Sequence, residues 1–218
     1  MSVDIRIVAG GPEEYLPDLK KISAEHDDVL WCGADRGALV LAEKGIKMEA
    51  AFGDFDSVTD EELRFIRHSA KEVYMYPPEK NETDLEHSLG WAYDQKPDRI
   101  TIYGATGGRM DHALGNIMLL ASDDHLRQPV KAKLEDRQNE ISFFYPGSYT
   151  VHEQEKRYIS FIPISEEITG VTLTGFLYPL ENDILKRGRT LSISNELNSD
   201  TGTFSFSSGI LMMIRSRD

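Results

Sequence analysis

Two hydrophobic patterns divide the chain. Up to about residue 125, short apolar runs alternate with longer amphipathic segments. "IRIVAG" (5–10), "VLWCGA" (29–34), "MEAAFG" (48–53), "KEVYMY" (71–76) and "RITIYG" (99–104) read as strands, and several end in glycine or a Gly/Asp-rich turn. Between them, "EYLPDLKKISAEH", "RGALVLAEKG", "TDEELRFIRHSA" and "TDLEHSLGWAYDQ" carry apolar residues near helical spacing. The last two open with capping-box patterns, Thr59 with Glu62 and Thr83 with Glu86. This alternation predicts βαβ units and a mainly parallel sheet. In such sheets ligands sit outside the carboxyl ends of the strands.

Beyond residue 125 the segments shorten. "KAKLED", "EISFFY", "SYTVHE", "RYISFIP", "GVTLTGFLY", "RTLSISN", "GTFSFSS" and "ILMMIRS" are β-branched or aromatic and separated by Pro, Gly, Asn and Asp. That pattern predicts an antiparallel sandwich or barrel. The polar stretch "DDHLRQPV" (123–130) marks a boundary. The expected fold class is α/β plus all-β: an N-terminal, mainly parallel α/β sheet domain over residues 1–125, then a C-terminal antiparallel β-sandwich over 130–218.

With 218 residues, 40% hydrophobic and 28% charged, the chain has the composition of a globular protein with a substantial core. Its 24 basic and 37 acidic residues give a formal charge of −13. A broad nucleic-acid footprint needs a basic face, so that partner is not expected. A small phosphorylated ligand remains compatible, because a metal ion and a few basic side chains neutralise it locally. The lone Cys32, inside an apolar run, reads as a buried structural thiol and excludes an intramolecular disulfide. The N-terminus lacks a signal-peptide pattern and no run approaches the ~20 apolar residues of a membrane span. The reading is a cytoplasmic protein with no membrane partner.

Candidate chemistry gathers where loops leave the predicted parallel strands. In "AFGDFDSV" (51–58), Asp54 and Asp56 follow a strand, and in extended backbone residues two apart share a side. Both carboxylates then face one hard cation or its waters, as Mg²⁺ requires. The alternative is an Asx-type turn made by Asp56 and Ser57 ahead of the Thr59 cap. "PPEKNETDLEHS" (77–88) adds Lys80, Thr83 and Asp84 at a helix start, where phosphate oxygens meet backbone N–H groups. There Asp84 also suits the helix dipole without any ligand. "YGATGGRMDHALGN" (103–116) offers Arg109 for phosphate, Asp111 for metal, ribose or base, and His112 as an orienting donor. Its glycines permit close approach of a ligand, or simply a turn capped by Asp111. In "GADRGA" (33–38), Asp35 is a further candidate or a helix cap. Neither a P-loop nor a G-x-G-x-x-G pattern occurs, and no nucleophile elbow, H-E-x-x-H or C-x-x-C supports a zinc or metal-free hydrolase reading.

Taken in order, "CGADRGA", "GDFDS", "KNETDLEHSL" and "GGRMDHALGN" resemble the thiamine pyrophosphokinase family. The resemblance covers residues 33–116 and extends more loosely through "GFLYPLENDIL" (175–185) and "SISNE" (192–196). Asn81 departs from the aspartate often found there. The resemblance implies transfer of pyrophosphate from ATP to the hydroxyethyl oxygen of thiamine, giving thiamine diphosphate and AMP. It implies an ATP- and Mg²⁺-binding catalytic domain, a thiamine-binding and dimerisation domain, and a homodimer with active sites between subunits. Carried over residue by residue, Asp54, Asp56 and Asp84 form the metal and polyphosphate site. Lys80, Thr83 and Arg109 contact phosphate, and Asp35, Asp111 and His112 line the ATP site. Tyr178 packs on thiamine, and Ser194 and Asn195 bind its aminopyrimidine. Without a ligand, Tyr178 reads as strand core and Ser194–Asn195 as a turn.

Positioning and charge neutralisation carry most of such a transfer. Either Asp111 or Asp84 can accept the alcohol proton. The rivals are a metal-dependent glycosyl- or nucleotidyltransferase, for which an Asp-x-Asp pair also serves, and a nucleotide or thiamine sensor without catalysis.

Overall fold

The computed structural model describes residues 3–26, 28–77, 79 and 81–218. The chain divides into two compact units, residues 1–119 with 128–137, and residues 120–127 with 138–218.

The first unit holds six parallel strands in the order β4-β3-β2-β1-β5-β6. They are β1 (Asp4–Val8), β2 (Val29–Ala34), β3 (Met48–Gly53), β4 (Ala70–Met75), β5 (Arg99–Tyr103) and β6 (Ala132–Glu135). Central β1 explains itself: Ile5, Ile7 and Val8 are fully buried, as expected of a parallel strand covered on both faces. Even its Arg6 is buried, its guanidinium 3.1 Å from Asp4 and over the Trp31 ring at 5.8 Å.

The first-unit helices are α1 (Leu19–Glu25), α2 (Arg36–Glu43), α3 (Asp60–Ser69), α4 (Asp84–Asp94) and α5 (Met110–Leu119). α1 begins well inside its predicted span. Pro17 disfavours helical backbone before it, and Asp18 supplies the cap by accepting the Lys21 N–H at 3.1 Å. α3 has its full capping box: Thr59 accepts the Glu62 N–H, and Glu62 accepts the Thr59 N–H at 2.6 Å. At α4 the Thr83 hydroxyl accepts the Glu86 N–H at 3.2 Å.

Three features differ from expectation here. The segment read as a glycine-rich loop turns helical at Met110, so Asp111 lies in the first turn of α5. Its small residues, Ala113 and Gly115, hid the helical period. "KAKLED", expected in the second domain, forms β6 and pairs parallel with β5, Ile102 opposite Leu134. Its alternation suits either sheet, so the pattern alone could not choose. Within "DDHLRQPV", Asp123–Leu126 form a short helix, α6, in the second unit.

The second unit is antiparallel. One sheet runs β7 (Asn139–Phe144), β13 (Leu211–Ser216), β9 (Tyr158–Pro163). The other runs β11 (Leu180–Lys186), β10 (Glu167–Thr174), β12 (Thr201–Phe206), β8 (Gly147–His152). Their inner faces meet in one core, where Phe161 of β9 lies 4.9 Å from Phe204 of β12, centroid to centroid. This is the expected sandwich. "RTLSISN" is not a strand. Ser194 takes φ 56°, and side chains bind this segment instead, Ser192 Oγ donating to the Phe161 carbonyl at 2.5 Å. β11 went unpredicted because its polar residues leave only Leu185 buried. Among the described residues no helix is long and apolar enough to cross a membrane.

Candidate active site

The strand order reverses at the β1/β5 pair: β2 to β4 extend to one side and β6 to the other. Such a switch point leaves a crevice at the carboxyl ends, because the two outgoing loops diverge. Past the strand ends, Ala9 N–H donates to the Tyr103 carbonyl at 2.8 Å and Gly11 N–H to the Gly104 carbonyl at 2.7 Å. Just beyond lies a cavity of about 720 Å³, walled by residues 9–13, Asp35, Arg36, Thr83, Asp84 and the glycine-rich segment from 104 to 109. Its size falls within the range of small-molecule sites.

Asp35 enters this cavity on strained backbone, with φ 51° and ψ −129°. Its N–H is held by the Phe52 carbonyl at 2.7 Å, and its carboxylate accepts the Ser57 hydroxyl at 3.2 Å rather than capping α2. α2 lies close behind, because Gly37 carries no side chain: a Cβ there would stand 1.9 Å from the Val8 carbonyl oxygen. Burial pushes the Asp35 carboxyl up. The Ser57 hydrogen bond opposes this, and the Asp84, Asp54 and Asp56 charges each push it further up. Three neighbouring carboxylates thus act on Asp35.

The Gly-Asp-Phe-Asp-Ser turn is not extended. Phe55 sits at φ 55° with its ring 4% exposed, and the ring occupies the space a Gly53 side chain would need. The expectation that Asp54 and Asp56 share a side of an extended chain is therefore replaced by a turn. Asp54, not Asp56, closes it by accepting the Asp56 N–H at 3.1 Å. Folding Phe55 inward leaves Asp54 half-buried and Asp56 exposed.

Asp84 is half-buried in the first turn of α4, beside exposed Thr83. Lys80 lies outside the described residues. Arg109 grips Asp111 with two hydrogen bonds, 2.6 and 3.2 Å, and both side chains are exposed. That grip holds the Asp111 carboxyl down at about 2, with the His112 N–H and charge adding to it. Arg109 and His112 line the cavity. Among the described residues no three carboxylate, imidazole or thiolate groups form a metal site by themselves. The converging donors are all carboxylates, which suits a hard cation that keeps waters and takes further oxygens from a substrate. The donor set fits Mg²⁺ on those terms.

In the second unit, Tyr178 is 61% exposed, in the loop before β11, and is not strand core. Asn195 is buried and fastens that loop. Its Oδ1 accepts the Tyr178 N–H at 3.0 Å and the Glu196 N–H at 2.9 Å, while its Nδ2 donates to the Tyr178 carbonyl at 2.8 Å. Exposed Ser194 precedes it, its N–H donating to Ser160 Oγ at 3.0 Å.

Sequence reading passed over the wall formed by Gly10 to Glu13 and Thr106. The available signal was the Gly10–Gly11 pair directly after a strand.

Residues 23–132 match the family described as "Thiamin pyrophosphokinase, catalytic domain", and residues 148–211 match "Thiamin pyrophosphokinase, vitamin B1 binding domain". Thiamine pyrophosphokinase of Bacillus subtilis (strain 168) is 51% identical over 215 residues, covering 98% of this chain and 99% of the relative. The crystal structure of the Bacillus subtilis thiamine pyrophosphokinase superposes with a TM-score of 0.90, covering 99% of each chain. That of thiamin pyrophosphokinase from Geobacillus thermodenitrificans has a TM-score of 0.88 at 46% identity, covering 99% of this chain and 98% of the other.

Proposed function

The chain belongs to the thiamine pyrophosphokinase family, and on that premise we propose that it transfers pyrophosphate from ATP to the hydroxyethyl oxygen of thiamine, giving thiamine diphosphate and AMP. The observation that carries this reading is the cavity at the β1/β5 switch point, where acidic loops and a glycine-rich segment converge.

ATP occupies that cavity in this reading. Thr83, the first backbone N–H groups of α4 and Arg109 contact its phosphates, and Lys80 is proposed as a further phosphate contact. Asp35 and His112 line the nucleotide. Asp54, Asp56 and Asp84 would hold Mg²⁺, which when bound offsets triphosphate charge. The chain's own task is placement. The acidic loops would hold the cation, whose charge would offset that of the polyphosphate, and Arg109 neutralises charge that grows on the transferred group and departing AMP. The thiamine oxygen attacks the β-phosphorus, the bond from that phosphorus to the α–β bridging oxygen breaks, and the alcohol proton passes to a carboxylate. The Arg109 ion pair makes Asp111 a weak proton acceptor, and a cation on Asp84 would weaken that carboxylate in the same way, so the two stand as alternative acceptors.

Thiamine packs on Tyr178, with Ser194 and Asn195 at its aminopyrimidine. The protein works as a homodimer with active sites between subunits. Supporting this, Met110, Leu114 and Met118 are exposed at 67%, 53% and 50%, four residues apart on α5. An apolar stripe of this kind marks an interaction surface. The proposed ATP and thiamine residues also lie in different units, and Tyr178 stands uncovered. We place the enzyme in the cytoplasm, in keeping with its ATP requirement and a lone, buried thiol.

The test is to incubate the protein with ATP, Mg²⁺ and thiamine and identify both products. Thiamine diphosphate with AMP supports the reading. ADP with thiamine monophosphate overturns the transfer assignment, and tight thiamine binding without turnover indicates a sensor. Light scattering of the purified protein tests the dimer.

A further inference from the structure

Two walls of the cavity are built from irregular backbone, joined at their base where the Gly11 N–H donates to the Gly104 carbonyl at 2.7 Å. The glycine-rich wall contains Gly104, Gly107 and Gly108, at φ 67°, 80° and 64°. Glycines reach these angles freely but lose much conformational entropy when fixed there. The facing wall is residues 9–13, continued by a single 3-10 turn at Glu13–Tyr15. The walls touch: a Cβ on Gly107 would lie 2.6 Å from the Tyr15 ring, and one on Gly108 would lie 3.2 Å from Pro12.

Both walls are tied to the same point, the end of β6. Asp136, 4% exposed, accepts the Thr106 hydroxyl at 2.7 Å across thirty residues of chain. Arg137 donates its Nε–H to the Leu16 carbonyl at 2.7 Å and its backbone N–H to the Tyr15 carbonyl at 2.9 Å. β6 is itself pinned in register to β5, from which the glycine-rich wall departs. A third tie comes from α5, where Asn116 Nδ2 donates to the Ala105 carbonyl at 3.0 Å. Residues 136 and 137 fall between the two family-matched segments.

We propose that Asp136 and Arg137 are positioning residues for the nucleotide, one fixing the wall at Thr106 and the other the wall at Tyr15–Leu16. This rests on reading the cavity as the ATP site. Neither residue needs to touch the ligand. A buried carboxylate accepting the hydroxyl's hydrogen bond sets the Thr106 side chain, and with it the glycines on either side. A guanidinium on a backbone carbonyl sets the segment that Gly107 and Gly108 pack against. The nucleotide then meets a preformed surface rather than one it must order, which lowers the entropic cost of binding.

The test combines Thr106→Val, Asp136→Ala, Asp136→Asn, Arg137→Ala and the Thr106→Val/Asp136→Ala double variant. Calorimetry with ATP and Mg²⁺ gives nucleotide affinity, and hydrogen exchange of residues 9–16 and 104–109 reads wall order directly. Thr106→Val and Asp136→Ala should each weaken ATP binding about 10-fold, the effect of one charge-assisted hydrogen bond. The double variant should be no worse than either single one, because both remove the same tie. Asp136→Asn, which still accepts the hydroxyl, should restore most of the affinity. Arg137→Ala should speed exchange at 12–16, and KM for thiamine should stay unchanged throughout. Additive losses, or lowered thermal stability with wild-type affinity and exchange, would overturn the proposal. If the wild-type protein binds no ATP, the ATP reading fails. Unchanged exchange in 104–109 of Thr106→Val, a mild substitution that leaves Asp136 in place, would defeat the brace independently.

Discussion

The Asp54 carboxylate accepts the Asp56 backbone N–H at 3.1 Å, so the first acid shapes the turn that presents the second. Asp54→Asn keeps that acceptor while removing the charge. In the proposed metal role, both Asp54→Asn and Asp56→Asn should lower turnover at least ~100-fold with the fold intact, as lost charge stabilisation does. Steady-state kinetics beside thermal unfolding check this. Near-normal activity in both variants would reduce the acids to turn formers.

Glycines in two helices should respond in opposite ways to alanine. At Gly37 in α2 the added Cβ would stand 1.9 Å from the Val8 carbonyl oxygen, so the helix must move off β1. Gly37→Ala should cost about 3 kcal/mol. At Gly90, exposed in α4, a Cβ would meet nothing within 4 Å. Gly90→Ala should stabilise by about 1 kcal/mol, the difference in helix propensity. Chemical denaturation measures both.

The Arg109–Asp111 pair has a definite pH signature. Folding lowers the Asp111 carboxyl from 3.8 to about 2, chiefly through its hydrogen bonds from Arg109. A depressed carboxyl contributes stability above its unfolded value, and the contribution is lost as pH falls through the folded one. The pair's contribution should therefore be complete above about pH 4 and vanish toward pH 2. Carboxyl ¹³C titration should place the Asp111 midpoint low in the wild type and near its ordinary value in Arg109→Ala. An unmoved midpoint would show that the pair does not form in solution.

Asn195 should affect thiamine through Tyr178. Asn195→Ala removes three hydrogen bonds, two of which fasten the Tyr178 backbone. KM for thiamine should rise about 10-fold while ATP affinity stays constant, in line with the loss of buried amide bonds. Equal loss for both substrates would point to general unfolding, which a melting curve distinguishes.

The parallel strands and most first-unit helices were legible because their signals are local. A run such as "VLWCGA" buried on both faces, or Thr59 three residues before Glu62, requires no knowledge of the rest of the chain. α5 was less visible, since Ala113 and Gly115 blur its periodicity, and β11 showed too few buried positions. "RTLSISN" looked like a strand by alternation, but hydrogen bonds that it donates to Ser160 and to Phe161, distant in sequence, decide its path.

The same division runs through the candidate site. By itself the sequence determined the α/β plus β-sandwich class, the four acidic or glycine-rich loops and their order, because periodicity and turn chemistry are written along the chain. Tertiary structure alone decided that β6 joins the parallel sheet. It also decided that Phe55 turns inward at φ 55° and separates two aspartates once read as side by side. It alone set the charges of Asp54, Asp56 and Asp84 against Asp35, and tied both cavity walls to Asp136 and Arg137. Coulomb forces and hydrogen bonds act through space, and a linear pattern does not state which distant residues folding will bring within their reach.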